Sequence, residues 1–495
     1  MIHTVIFSDE ITLWWDKEWE LDDDVYYKVT LGSDTVVTKK THVSFKELLP
    51  ETAYAVTLAR IEPAAVLLDT TITTPAAKRR LDVSAAPYFA VGDGKAVNTA
   101  ALQRAINDCG AMDCVYFPKG TYLSGALDLH SDMEIYLDEG ATLQGTAALE
   151  DYLPKRKSRF EGIEMECYSS LINIGELDSK SGSNCRNITI RGKGAILGGG
   201  KELADAITES ERARLADFLA ANEEYVKTCE NNDTIPARAR GRLINISNGE
   251  NVVIAGLTLG YAASWNVHFI YSKDILTYGC HILSRGVWNG DGWDPDSSDN
   301  CVIFDTTFDT HDNSIAIKSG KNPEGNIIGR PNREVRIFDC SGGECMAIGS
   351  EMSGGIEGVY IWDCDFTKSR AGIGIKVTPK RGGYVRNVRV RNCRFVNLRA
   401  RSVTFNDDGE PSGVMSVVED VLFENTVLTG VAVTETGERR PTEALFISGL
   451  EGEENHFRNI AFQGLMLPTG ADQKIVLRNV KDLTLKNISF CEGET

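Results

Sequence analysis

The chain has 495 residues, 42% hydrophobic and 25% charged, an ordinary balance for a folded protein large enough for more than one domain. Its formal net charge of -19 argues against a nucleic-acid partner, because phosphate binding needs a basic face, but it leaves room for an anionic sugar in a local basic pocket. No apolar run approaches the roughly 18 residues of a membrane span, and Met1 to Glu10 lack the basic and apolar regions of a signal peptide, so neither a membrane partner nor export is expected.

Residues 1–75 read as a small β module. Apolar and polar residues alternate in Val25–Leu31 and again in Ala53–Leu58. Leu49-Pro50 precedes the Tyr54-bearing strand, a pattern that resembles a fibronectin type III sandwich, with Trp14 or Trp19 as its core tryptophan. Residues 76–86 read as a linker. From Asn98 to Asn107 a cap and helical spacing predict a helix that could plug the end of a solenoid.

A repeat then takes over. Its four-residue unit begins at Asn187, Asn251, Asp274, Asn300, Glu334, Gly358, Asn387, Asp420, Asn459 and Asp482. Five residues after each start, in most units, stands Asn, Asp or Gly, types that tolerate the left-handed backbone of a tight corner. From Asn251 onward, successive starts lie from 23 residues apart (Asn251 to Asp274) to 39 (Asp420 to Asn459), so a fixed strand–corner–strand core carries loops of variable length. The expected architecture is all-β: a right-handed parallel β-helix over 87–495, with a polar, helix-prone insertion at 201–240, preceded by the sandwich. Of the 12 cysteines, Cys280, Cys340, Cys364 and Cys393 recur at one repeat position, as expected for a ladder of small buried side chains. Reduced thiols and no leader predict a cytoplasmic protein.

Two acidic clusters about one repeat apart carry the chemistry. One runs from Asn289 through Asp291 and Asp294 to Asp296. The other holds His311, Asp312 and Asn313. Carboxylates on neighbouring coils of a rigid wall suit general acid and base work on a glycosidic bond. Isolated histidines such as His268 and His311 are poor evidence for a metal, and neither metal nor cofactor is expected.

Val91-Gly92-Asp93-Gly94 with Asn98–Gln103, Val115–Gly125 and Gly349–Gly355 resemble motifs of glycoside hydrolase family 28, the polygalacturonases and their pectin-degrading relatives. The family's four site motifs are Asn-x-Asp, a paired Asp-Asp, Gly-His-Gly and Arg-x-Lys. Asn289-Gly290-Asp291 matches the first, and Asp296 continues it. The others read His311-Asp312-Asn313, Gly343-Glu344-Cys345 and Gly374-Ile375-Lys376, so one carboxylate, the histidine and the arginine are replaced. The resemblance implies an inverting hydrolase in which Asp312 is the general acid and Asp291 the base, spaced about 6.5–9.5 Å to admit a water. Asn313 would hold that water, Glu344 could share the base role, and Lys376 with Arg381 could pair with a substrate carboxylate.

The implied substrate is a pectic oligosaccharide, with exo-type release of terminal galacturonate. The altered motifs leave open another pectic sugar or side chain (rhamnogalacturonan, xylogalacturonan or a neutral glycoside). A lyase, or a non-catalytic carbohydrate-binding β-helix, also remains open at this point.

Overall fold

Strand alternation and left-handed corners account for most of the architecture. The computed structural model describes residues 1–21, 25–403, 409–434, 436–453, 455–469 and 475–492. The chain divides into two compact units, Met1–Arg80 and Leu81–Thr495.

In the first unit an antiparallel three-stranded sheet (Ile2–Ile6, Glu10–Trp15, His42–Lys46) and a four-stranded one (Asp34–Thr38, Tyr27–Leu31, Ala53–Arg60, Ala65–Thr73) share a core. The core tryptophan is Trp15, not Trp14 or Trp19. Period-2 alternation puts Ile11, Leu13 and Trp15 on the inward face, while Trp14 points the other way and stacks on His3 at 3.8 Å. Trp19 lies beyond the strand, half-buried. The Tyr54 hydroxyl accepts the Leu49 N–H at 3.0 Å, which ties the Leu-Pro turn to its strand.

In the second unit three long parallel sheets run side by side, with 13, 13 and 11 strands among the described residues. The chain contributes one strand to each in turn, which makes a parallel β-helix. Arg79–Asp82, in the segment read as a linker, is the end strand of the first sheet. The expected corners are left-handed: φ is 74° at Gly256, 49° at Asp305, 55° at Asp363 and 54° at Asn392. The repeat's first residue is left-handed as well, with φ of 55° at Asn251, 52° at Asn300 and 53° at Asn387. Two of the bends in each coil are therefore left-handed, and the same residue types serve both. At the first bend side chains also ladder between coils. Asn187 accepts from Asn251 at 2.8 Å, and Asp274 accepts from Asn300 at 2.6 Å.

Inward side chains form one continuous core. The four recurrent cysteines are buried in it as free thiols. The helix Thr99–Asn107 buries Leu102, Ala105 and Ile106 against that core at the first coil. Asn98 precedes it without capping it, because its side chain bonds to Val91 and Ala96 instead. The insertion folds as Gly200–Arg214 and three shorter helices, Ala216–Ala221, Glu223–Val226 and Thr234–Ala237, and buries Leu203 and Ile207 in the same core.

A second excursion is a hairpin, Arg156–Phe160 and Ile163–Cys167, turned by Glu161 (φ 45°) and Gly162 (φ 77°). Positive φ at both central residues is what a two-residue turn joining twisted strands requires.

Inside the helix Phe308, Phe366 and Phe395 line up at 6.2 and 6.3 Å between ring centroids, with Gly342 on the coil between the first two. A Cβ at Gly342 would come within 2.8 Å of the Phe308 Cβ, so glycine is needed for this close approach. Phe366→Ala empties a fully buried site that the neighbouring coils cannot collapse into. It should cost about 3–5 kcal/mol, read as a lower urea midpoint, and an unchanged midpoint would show the ladder to be slack.

Candidate active site

The outward face of the 11-stranded sheet positions the charges. Parallel register stacks Asn245, His268 and Asp294 in one line, and Ser247, Ile270 and Asp296 in the next, with Asp296 bridged to Lys318. Farther along, Ala316, Ala347, Gly374 and Arg399 continue the first line, while Lys376 and Arg401 pair beside it. Each step along a line is about 4.8 Å.

Asp291 and Asp312 stand where coils meet. Gly292 N–H donates to Asn313 O at 2.9 Å, and Trp293 N–H to Ser314 O at 3.1 Å, so the two acidic clusters lie on adjacent coils in matched register. Asp291 is buried, and its carboxyl is pushed up to about 7, first by burial and then by Asp312. Lys318 Nζ, 3.4 Å from its Oδ2, opposes that rise. Lys318 itself is buried over the Trp265 ring, 4.7 Å away. Burial opposes its charge, but Glu351 at 3.8 Å and then Asp291 hold it protonated. Asp294 is fully buried with neither oxygen hydrogen-bonded; burial, then Asp291, holds its carboxyl well above the usual range. Asp294 is an outward side chain on the strand Trp293–Asp296, not a corner cap.

Asp296 plays a different part. Burial alone would raise it, but Arg159, at 2.8 Å, holds it ionised at about 2. His268 Nε2 lies 3.6 Å from its other oxygen, beyond hydrogen-bond reach, and burial pushes that imidazole down to about 3. Asp296 and His268 are thus a sealed support beneath Asp294, shut from substrate.

Asp312 is half-exposed. Its Oδ1 accepts from both the backbone N–H and the side-chain amide of Asn313, each at 2.9 Å. The Asn313 carbonyl oxygen accepts from Lys376 at 3.2 Å and from the Cys345 thiol at 2.9 Å. Asn313 therefore orients Asp312, a role the sequence did not suggest. Its amide links Lys376 to the carboxylate.

Glu344, at the position of the family's histidine, is buried and paired with Arg370 at 2.8 Å. Burial pushes it up to about 7 in spite of that pair. Arg370 also reaches the carbonyl of His311, whose ring stands at the mouth near Gly286. Arg381, expected as a second substrate cation, is fully buried and donates to Ser350 O and Asn322 Oδ1, so it pins a loop. At Gly374 a Cβ would meet nothing nearer than 3.6 Å, so packing does not force the loss of the arginine there.

Several site residues went unread in the sequence. Arg240, at the end of the insertion, donates to Asn289 Oδ1 at 2.6 Å and Trp288 O at 2.8 Å, and burial pushes it down to about 9. Arg242 stacks on Phe160 and Trp265 at 4.6 and 4.7 Å. Glu230, on the insertion, is raised by partial desolvation and then by Asp312, so this loop overlooks the site although the side chain is open to solvent. The hairpin was legible in principle, since Glu161-Gly162 joins two short runs with alternating polarity, and Lys318 follows the second acidic cluster by five residues.

The burial of Asp291 predicts a pH signature. Its folded pKa, about 7, lies above its unfolded value. The stability conferred by the neutral form is therefore present below about pH 4 and lost as pH rises through 7. Asp291→Asn, which mimics that neutral form, should melt higher than wild type at pH 8 and nearly level with it at pH 4. A variant less stable than wild type at both pH values would contradict the assignment.

The family model for glycosyl hydrolases family 28 matches residues 112–484, which span both acidic clusters and the Glu344 and Lys376 regions. A curated exo-poly-alpha-D-galacturonosidase of Dickeya chrysanthemi is 29% identical over 351 residues, 67% of this chain and 58% of that protein. The chain spans about three fifths of the length of the curated relatives it matches. Two solved structures share the fold. A family 28 exopolygalacturonase of Yersinia enterocolitica has a TM-score of 0.78 at 20% identity, with 100% of this chain and 99% of that one covered. A hyperthermoactive exopolygalacturonase of Thermotoga maritima has a TM-score of 0.69 at 24% identity, with 83% and 91% covered. With the family model covering most of the chain, including its carboxylate clusters, this protein belongs to glycosyl hydrolases family 28.

Proposed function

We propose that this chain is an inverting, exo-acting glycosidase that removes terminal galacturonate from pectic oligosaccharides. The observation that carries the exo reading is the hairpin 156–167. Ser158 donates to Asn245 at 3.1 Å, Arg159 pairs with Asp296, Phe160 stacks on Trp265 at 4.7 Å, and Gly162 O accepts from Lys321 N–H at 2.9 Å. These contacts lay the hairpin over the sheet from the coil of Asn245 to that of Lys318. Phe160, Arg159 and His268 are all fully buried there, so no sugar fits between hairpin and sheet. The groove is stopped immediately N-terminal to the two acidic clusters, and a long chain can enter only with its end.

In this reading Asp312, with its Oδ2 unengaged by hydrogen bonds among the described residues, donates the proton to the leaving oxygen. Asp291, a carboxyl raised to about 7, is a strong base near neutral pH and takes the proton of the attacking water. Lys318 and Lys376 stabilise the carboxylates between turnovers. The names of the matched relatives, an exo-poly-alpha-D-galacturonosidase and two exopolygalacturonases, support galacturonate as the sugar. Gly374 and Glu344, in place of arginine and histidine, favour as second reading another pectic sugar at the same site.

Early time points on a galacturonate oligomer of about ten units decide the mode. The account expects one short product of constant size from the first per cent of turnover, with the polymer shortening slowly. A spread of intermediate lengths at that stage would mean an open groove and endo attack. Turnover of a neutral pectic glycoside without turnover of the galacturonate oligomer would decide for the second reading.

A further inference from the structure

The sheet that carries the carboxylates continues beyond Lys376, and its next coil carries two outward arginines. In the strand Leu398–Ser402, Leu398 and Ala400 point into the core and Arg399 and Arg401 point outward. Parallel register sets Arg401 directly beside Lys376 and Arg399 beside Gly374. Arg399 donates to Thr442 at 2.9 Å and approaches Glu443 at 3.3 Å. The other arginines of the groove are equally engaged: Arg159 with Asp296, Arg240 with Asn289, Arg242 with Arg159 O, and Arg370 with Glu344. Arg401 differs. It is half-exposed and has neither hydrogen bond nor ion pair among the described residues.

We propose that Arg401 is a specificity-determining residue that binds the carboxylate of the sugar lying next to the scissile bond on the C-terminal coils, taking the place of the arginine absent at Gly374. The proposal rests on the galacturonide reading above. The hairpin fills the N-terminal side, so the rest of the substrate must lie over the coils of Lys376 and Arg401. Ala316, Ala347 and Gly374 continue the line of Asp294 but are themselves buried, so the sugar meets the longer side chains beside them, Lys376 and Arg401, both half-exposed. Lys376 and Arg401, one coil apart on the outward face of the sheet, present a point charge and a planar fork to one carboxylate. The fork supplies the two parallel N–H donors that lysine lacks.

The test separates binding from turnover. Trigalacturonate and its methyl ester are titrated calorimetrically into Asp312→Asn, alone and combined with Arg401→Ala, Arg401→Gln or Arg401→Lys. Thermal melting checks that each variant is folded. The expected result is roughly tenfold weaker binding of the free acid with Ala or Gln, partial recovery with Lys, and unchanged binding of the ester, so that preference for acid over ester collapses. Equal affinity for the free acid with and without Arg401 overturns the proposal. Wild-type hydrolysis of trigalacturonate is measured alongside. Arg401-dependent binding without turnover would sink the hydrolase reading and keep the Arg401 site. Turnover with Arg401-independent binding would do the reverse. Failure of Asp312→Asn to bind trigalacturonate at all would sink both.

Discussion

Parallel register is the constraint on which the rest of the molecule depends. Because each coil repeats the one before at about 4.8 Å, a side chain on the outward face has a neighbour one coil away, whatever the length of the loop between them. Asn245, His268 and Asp294 become a line although 49 residues separate the first from the last. Loops then vary without disturbing the line, as the 23-residue step from Asn251 to Asp274 and the 39-residue step from Asp420 to Asn459 show. The hairpin 156–167 and the insertion after Gly200 are two such loops, and both bring arginines back to the same short stretch of sheet.

Burial is the second constraint, and it sorts chemically similar carboxyls into different states. Asp296 is closed in with a guanidinium and stays ionised; Asp294, two residues earlier, has no hydrogen-bonded partner and is held well above the usual carboxylate range. Asp291 lies between these limits, buried but tethered to Lys318. A carboxyl poised in this way is costly to the fold above neutrality and useful to a reaction that must take a proton from water. The replaced motifs fit the same scheme. Asn313 gives up a negative charge where Asp291, Asp294 and Glu344 already crowd Asp312, and it uses its amide to join Asp312 to Lys376.

Periodicity and corner chemistry made the solenoid legible, since Asn, Asp and Gly at fixed offsets and apolar residues at period two are local properties of each coil. The acidic clusters were legible because both lie within one stretch of about thirty residues and match a motif. What stayed hidden was whatever depends on a loop folding back. The pairing of Arg159 with Asp296 spans 137 residues, and that of Arg240 with Asn289 brings the insertion to the first motif. Arg381 looked like a ligand because it follows Lys376 closely, but the turn between them carries it into the interior. Trp15 was displaced by one position because alternation gives the faces of a strand but not which face is inward.

The account turns on a single displacement at the chain end with Asp312 as acid and Asp291 as base. Proton NMR of the first-formed sugar from trigalacturonate, followed before mutarotation, tests it directly. The account predicts a terminal galacturonate released with inverted anomeric configuration by the wild type, and no release by Asp312→Asn. Retained configuration, or undiminished release by that variant, would contradict it.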